Sequence, residues 1–188
     1  MDKIEVFGFK RSSVGKKGCD KLRDEANVPG VLYGKDVHEL FYVPMRLMRD
    51  LVYTSDVHFI DFNLEGIHYD CILQDIQFHP VSDVMRHIDF YVISNDKKIT
   101  MMIPVESTGT AIGSKKGGIL VQKAKKLQVT AYPQDMPDKI LVDVSNLDCG
   151  GMIRVRNLEV KNCTFNVIPA YPLFGIKQVK ADTNAKVV

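Results

Sequence analysis

Two runs of strand-forming residues, Val57–Leu64 and Ile67–Phe78, flank the dipeptide Glu65-Gly66. A two-residue connection of that chemistry suits a tight hairpin turn, so the middle of the chain is committed to antiparallel β-structure. Further strand segments rich in Val, Ile, Phe and Tyr precede and follow it, at Ile4–Lys10, Val31–Tyr33, Phe41–Val43 and Met85–Ile93. Between them the pattern predicts two short helices. One spans Cys19–Ala26 and is stopped ahead of Pro29; the other starts at Pro44 and runs to Val52 or Tyr53, with Leu47, Met48 and Leu51 on one face. Several β segments with two short helices predict a compact barrel or a strongly curved sheet.

The polar stretch Ser94–Lys98 reads as a domain boundary. Beyond it come short strand candidates at Ile99–Glu106, Ile119–Gln122, Leu127–Tyr132, Ile140–Val144, Met152–Val155 and Thr164–Ile168. They are punctuated by Pro133, Pro137, Gly117-Gly118 and Gly150-Gly151, the signature of a second all-β unit. The polar end from Lys177 to Val188 is expected to fray. The fold class is therefore mainly β.

At 188 residues, 45% hydrophobic and 26% charged, the chain has enough apolar material for two small cores. Its apolar stretches are too short to span a membrane, and charges stand where an export signal needs an apolar core, so a cytoplasmic protein is expected. Cys19, Cys71, Cys149 and Cys163 are widely spaced and are read as reduced thiols, with no metal and no cofactor.

Charge is distributed unevenly. Residues 1–95 carry 11 Lys+Arg against 15 Asp+Glu, a balance of −4, and residues 96–188 carry 14 against 8, a balance of +6. Within the acidic half, Lys10, Arg11, Lys16, Lys17, Lys21 and Arg23 crowd into fourteen residues with one acid, Asp20. Such a patch suggests a polyanion contact directed by position, although a charge run alone is also what a solvated loop looks like. A second run, Lys115, Lys116, Lys123, Lys125 and Lys126, reads as a flexible basic hairpin that is either a second contact or a solvated loop.

An enzyme reading has little to stand on. His87 and Asp89 lie two apart, which on a strand puts them on one face, and His79 is close in sequence. They offer a metal triad or an oriented base, but there is no nucleophile elbow and no partner carboxylate, and His79 precedes Pro80 at a turn. The RNA reading is richer: lysines on a glycine-hinged segment can follow phosphates, Tyr33 can stack or donate its hydroxyl, and Gln74 and His87 can address base edges or 2′-hydroxyls.

Val14-Gly15-Lys16-Lys17-Gly18 with Lys21-Leu22-Arg23, then Val28-Pro29-Gly30-Val31-Leu32-Tyr33-Gly34, resembles the signature of the bacterial 5S rRNA-binding large-subunit ribosomal protein family, also called general stress protein Ctc. A second block, Gln74 to Pro80 followed by His87-Ile88-Asp89-Phe90, fits the same family. Ile103–Glu106, Lys116–Leu120 and Pro137–Leu147 resemble the C-terminal β-domain of its long form. The resemblance implies a six-stranded barrel with two or three short helices over residues 1–94, a second β-domain over 98–178 and a flexible tail over 179–188. It also implies a structural, non-enzymatic protein, monomeric within the ribosome, that binds the loop E region of 5S rRNA in the central protuberance beside neighbouring ribosomal proteins and rRNA. Carried over by position, the RNA contacts are Arg11, Lys16, Lys17, Lys21, Arg23, Tyr33, Gln74, His87 and Asp89. The alternative is a tRNA- or other RNA-binding, or protein-interaction, barrel acting outside the ribosome under stress. Two departures bear on affinity: Cys19-Asp20-Lys21 replaces a small residue, a serine and consecutive arginines, and Phe78 stands where a basic residue is common.

Overall fold

A computed structural model describes residues 3–13, 15–34, 36–54, 56–158, 160 and 162–178. The expected tail, 179–188, lies outside the described residues. The first half contains β1 (Lys3–Lys10), α1 (Lys16–Asp24), β2 (Asn27–Tyr33), β3 (His38–Pro44), a 3-10 turn (Met45–Met48), α2 (Arg49–Val52), β4 (Phe59–Leu64), β5 (Ile67–Phe78) and β6 (Met85–Val92). Six strands close into a barrel in the order β1-β3-β2-β6-β5-β4, with the ring completed by the parallel pair β1–β4.

The barrel forms because alternate residues of each strand turn inward. Phe41, Phe62 and Phe90 are wholly buried, with ring centroids 4.6 to 5.2 Å apart. Space for them comes from the wall: a Cβ on Gly30 would meet the Phe41 ring at 2.5 Å and the Ile88 carbonyl oxygen at 2.7 Å. Glu65 (φ 52) and Gly66 (φ 95) both adopt the left-handed region, as the expected tight hairpin turn between β4 and β5 demands.

Three local expectations are corrected. The first helix begins at Lys16 and ends at Asp24, well before Pro29, and Ala26 (φ 59) turns the chain so that Pro29 lies inside β2 opposite Tyr42. Pro44 ends β3 instead of opening a helix, and the next two turns divide into the 3-10 turn and α2. Met48 and Leu51 are buried as expected, but Leu47 is exposed.

Residues from 99 onward build β7 (Ile99–Thr108), α3 (Ile112–Lys115), β8 (Gly118–Gln122), β9 (Lys126–Ala131), β10 (Ile140–Asp143), β11 (Met152–Arg154), β12 (Thr164–Phe165) and β13 (Pro172–Gln178). They form two sheets, β10-β7-β9-β12 and β11-β13-β8. β13 was not among the expected strands. It is the central strand of its sheet with Leu173, Phe174, Gly175 and Ile176 buried, and Lys177 and Gln178, expected to fray, pair with Ile119 and Gly118.

The two halves are in contact. Ile72 of the barrel is buried in the core of the second half, with Val57, Phe59, Tyr91 and Ile93 packed against it. Lys139 Nζ lies 3.2 Å from Asp56 and 2.9 Å from Glu106, pinning the seam at its surface.

Because the Ile88 carbonyl is backbone and cannot swing aside, Gly30→Ala should destabilise the protein by about 1–3 kcal/mol through overpacking. Gly175→Ala, whose new carbon meets nothing closer than 3.5 Å, should cost less than about 1 kcal/mol. Urea unfolding of the two variants checks the contrast.

Candidate nucleic-acid interface

The outward residues of β2, β6 and β5 form rows across adjacent strands. Gln77 stands opposite His87, Asp89 stands between Asp75 and Val31, and Tyr33 stands opposite Tyr91. Inward Ile88 and Phe90 alternate with them, so the barrel core fixes which β6 side chains face out.

His87 and Asp89 touch: Nδ1 lies 2.8 Å from Oδ1. The contact is close but is not an aligned hydrogen bond, since Nδ1 is enclosed with no hydrogen-bond partner. Tyr33 packs edge-on against Tyr91, with centroids 5.7 Å apart. Partial burial, then the carboxylates of Asp89 and Asp75, push its phenol above the ordinary tyrosine range. Tyr33 is thus a hydroxyl donor beside two acceptors, and carboxylates of this kind can accept from base amino groups.

Gln74 departs from the expected cluster. The ladder shifts register between Leu73 and Asp75, so Gln74 is the extra residue of a β-bulge and Asp75 takes the place opposite Asp89. Gln74 lines a cleft between the two halves with His58, Thr100, Lys126 and Gln128.

The basic residues separate into two roles. Lys16, Lys17 and Lys21 project from α1 and are exposed, with Lys17 and Lys21 one turn apart on the same face. Arg23 Nε and Nη2 instead donate to the Arg86 carbonyl at 3.2 and 3.1 Å, and Nη1 donates to Asp20 at 2.9 Å. Arg11 donates from Nη1 to the Cys19 thiol at 2.9 Å. The two arginines fasten the helix to its surroundings, while the lysines remain available to a ligand. Asp20, which lies in one of the departures expected to bear on affinity, bridges to Arg23. Phe78 is exposed and lies against Tyr53, with centroids 6.5 Å apart.

His79 Nδ1 accepts from the backbone of Val81 and Ser82 at 3.4 and 3.3 Å, which gives it a turn-stabilising role. Among the described residues no group of three or more His, Cys, Asp or Glu is placed to hold a metal ion. The four cysteines are free thiols.

The second basic run is not one hairpin. Lys115 closes α3 and Lys116 follows it, whereas Lys123, Lys125 and Lys126 lie beyond the far end of β8. Five strand residues separate the groups by about 17 Å. Lys116 is also paired with Asp148 at 2.8 Å, which raises its ammonium pKa and lowers that of the carboxyl. Lys123, Lys125 and Lys126 are exposed together.

Asp89→Asn should lower the Tyr33 phenol titration part of the way, leaving the effect of burial and of Asp75. A spectrophotometric pH titration of the tyrosinate band checks this. The sign for stability follows from a folded value above the unfolded one: the contribution is present below the unfolded value of about 10 and is lost as pH rises through the folded value.

The geometry accords with what comparison with known proteins finds. The profile of the Ribosomal L25p family matches residues 8–90, and that of ribosomal protein TL5, C-terminal domain, matches residues 98–179. The chain is similar to "Large ribosomal subunit protein bL25" of Amoebophilus asiaticus, with 49% identity covering 96% of this chain and 92% of the relative. It is similar to proteins of the same name from Cytophaga hutchinsonii, with 43% identity over 87% of this chain and 85% of the relative, and from Phocaeicola vulgatus, with 42% identity over 99% and 100%. A closed barrel matching the first profile, a second β-unit matching the other and relatives similar along nearly their whole length place the chain in the bL25 family of large-subunit ribosomal proteins.

Proposed function

We propose that this chain is a structural, non-catalytic constituent of the large ribosomal subunit that binds 5S rRNA at its loop E region in the central protuberance. In this reading it is a ribosome-bound cytoplasmic monomer. The observation that carries it is the outer face of β2, β6 and β5, where Tyr33, Asp75, Gln77, His87 and Asp89 stand in cross-strand rows with the free lysines of α1 on the same domain. Loop E, as a non-standard helix, would present base edges and 2′-hydroxyls in a groove that such a face can enter.

The work divides between two kinds of contact. Lys16, Lys17 and Lys21 take phosphates, which supplies affinity and register without sequence information. His87, Asp89 and Tyr33 supply discrimination, with Asp89 lying against the imidazole and offering a carboxylate acceptor. Arg11 and Arg23 act mainly by holding α1 in place. Gln74 acts at the edge of the face, and Lys123, Lys125 and Lys126 form the second contact, to rRNA or a neighbouring protein. Lys115 and Lys116 belong to a separate surface. Residues 1–94 serve as the recognition domain and 98–178 as the second domain.

Removing Lys16, Lys17 and Lys21 together, as alanines, should flatten the slope of log affinity against log salt for 5S rRNA by about 2–3. His87→Ala should weaken binding by about 1–3 kcal/mol and leave the slope unchanged. Filter binding of the full chain across a salt series checks both. An unaltered slope in the triple variant contradicts the assignment, and equal competition by tRNA favours a barrel that acts outside the ribosome.

A further inference from the structure

In the barrel ring β1 lies opposite β6 and β4 opposite β2, so the β1–β4 wall faces away from the proposed RNA face. It has a different chemistry. Phe7 and Phe9 of β1 are 48% and 46% exposed, and the Phe9 ring stacks on Tyr42 of β3 at 5.4 Å. Next to these rings, Glu5, Asp61 and Asp70 occupy one row across β1, β4 and β5. Lys3 pairs with Asp70 at 2.8 Å and His68 with Asp61 at 2.9 Å, while among the described residues no cation pairs with Glu5.

Neither feature helps the isolated barrel. Acids set opposite one another on a sheet repel, and aromatic rings left in water forgo their burial energy. Both features make sense against a partner that brings cations to the acidic row and apolar or guanidinium groups to the rings. An RNA backbone is the wrong occupant, because its phosphates would meet Glu5 and Asp61.

We propose that the β1–β4 wall docks a basic segment of a second protein, a neighbour in the large subunit, with its cations on Glu5 and Asp61 and its apolar or arginine side chains on Phe7 and Phe9. The proposal rests on the ribosomal reading above and gives the barrel two faces, one for RNA and one for protein. It also accounts for a net acidic domain in a protein of this family: its acids serve a basic protein while its few free lysines serve RNA.

The test uses the full chain and large subunits lacking it. The double variant Phe7→Ala/Phe9→Ala, and separately Glu5→Lys, compete with the wild-type chain for incorporation. Each should lose about tenfold or more in the competition, the scale of a hot-spot contact, while affinity for isolated 5S rRNA stays within about twofold. A photo-crosslinking residue at position 7 should attach to a Lys- and Arg-rich segment of another ribosomal protein, identified by mass spectrometry. Equal incorporation of both variants, or a crosslink from position 7 to rRNA, overturns the proposal. If the wild-type chain neither binds 5S rRNA nor enters subunits, the ribosomal reading itself fails, and the two failures are told apart by that control.

Discussion

Phe41, Phe62 and Phe90 meet at the centre of the barrel within 4.6 to 5.2 Å, and the arrangement of the first half depends on that contact. Three large rings fill a six-stranded interior only where the wall gives way, as it does at Gly30, which has no room for a Cβ. Burying each ring is worth roughly 2–3 kcal/mol by area, so the interior sets the strand register strongly. Once Ile88 and Phe90 are inside, His87, Asp89 and Tyr91 must be outside. The proposed recognition face is in this sense the reverse side of the core.

The same economy governs the basic segment. A helix of nine residues with no buried residue and no side-chain cap is marginal on its own. Arg23 ties it to the Arg86 carbonyl and Asp20, and Arg11 reaches the Cys19 thiol. Asp20 therefore organises the patch, and the departure from the family pattern at this position becomes a structural contact. Charge that stays exposed, on Lys16, Lys17 and Lys21, suits phosphate, where a point charge on a flexible stem is sufficient.

Much of this was legible in the residues. The Glu65-Gly66 turn and the alternating runs around it fixed the β4–β5 hairpin, and the two-residue spacing of His87 and Asp89 put them on one face. The family motifs pointed to the barrel and to the lysines. What escaped has physical reasons. A β-bulge leaves no local signature, so Asp75 in place of Gln74 opposite Asp89 could not be read. Pro172 and Gly175 hid a strand that tertiary pairing on both sides enforces. The role of Arg23 depends on a carbonyl 63 residues away and that of Arg11 on how the loop before α1 folds back, and Lys115–Lys126 looked like one cluster because sequence proximity does not register the length of β8.

In the proposed function, RNA is read by the outer face of β2, β6 and β5 together with α1. Amide chemical-shift mapping of the labelled full chain, titrated with a loop E fragment of 5S rRNA, tests it most directly. Perturbations should gather at residues 16–21, 31–33, 75–77 and 87–91, while residues 5–9 on the opposite wall stay still. Perturbations confined to residues 115–126, or centred on β1, would contradict it.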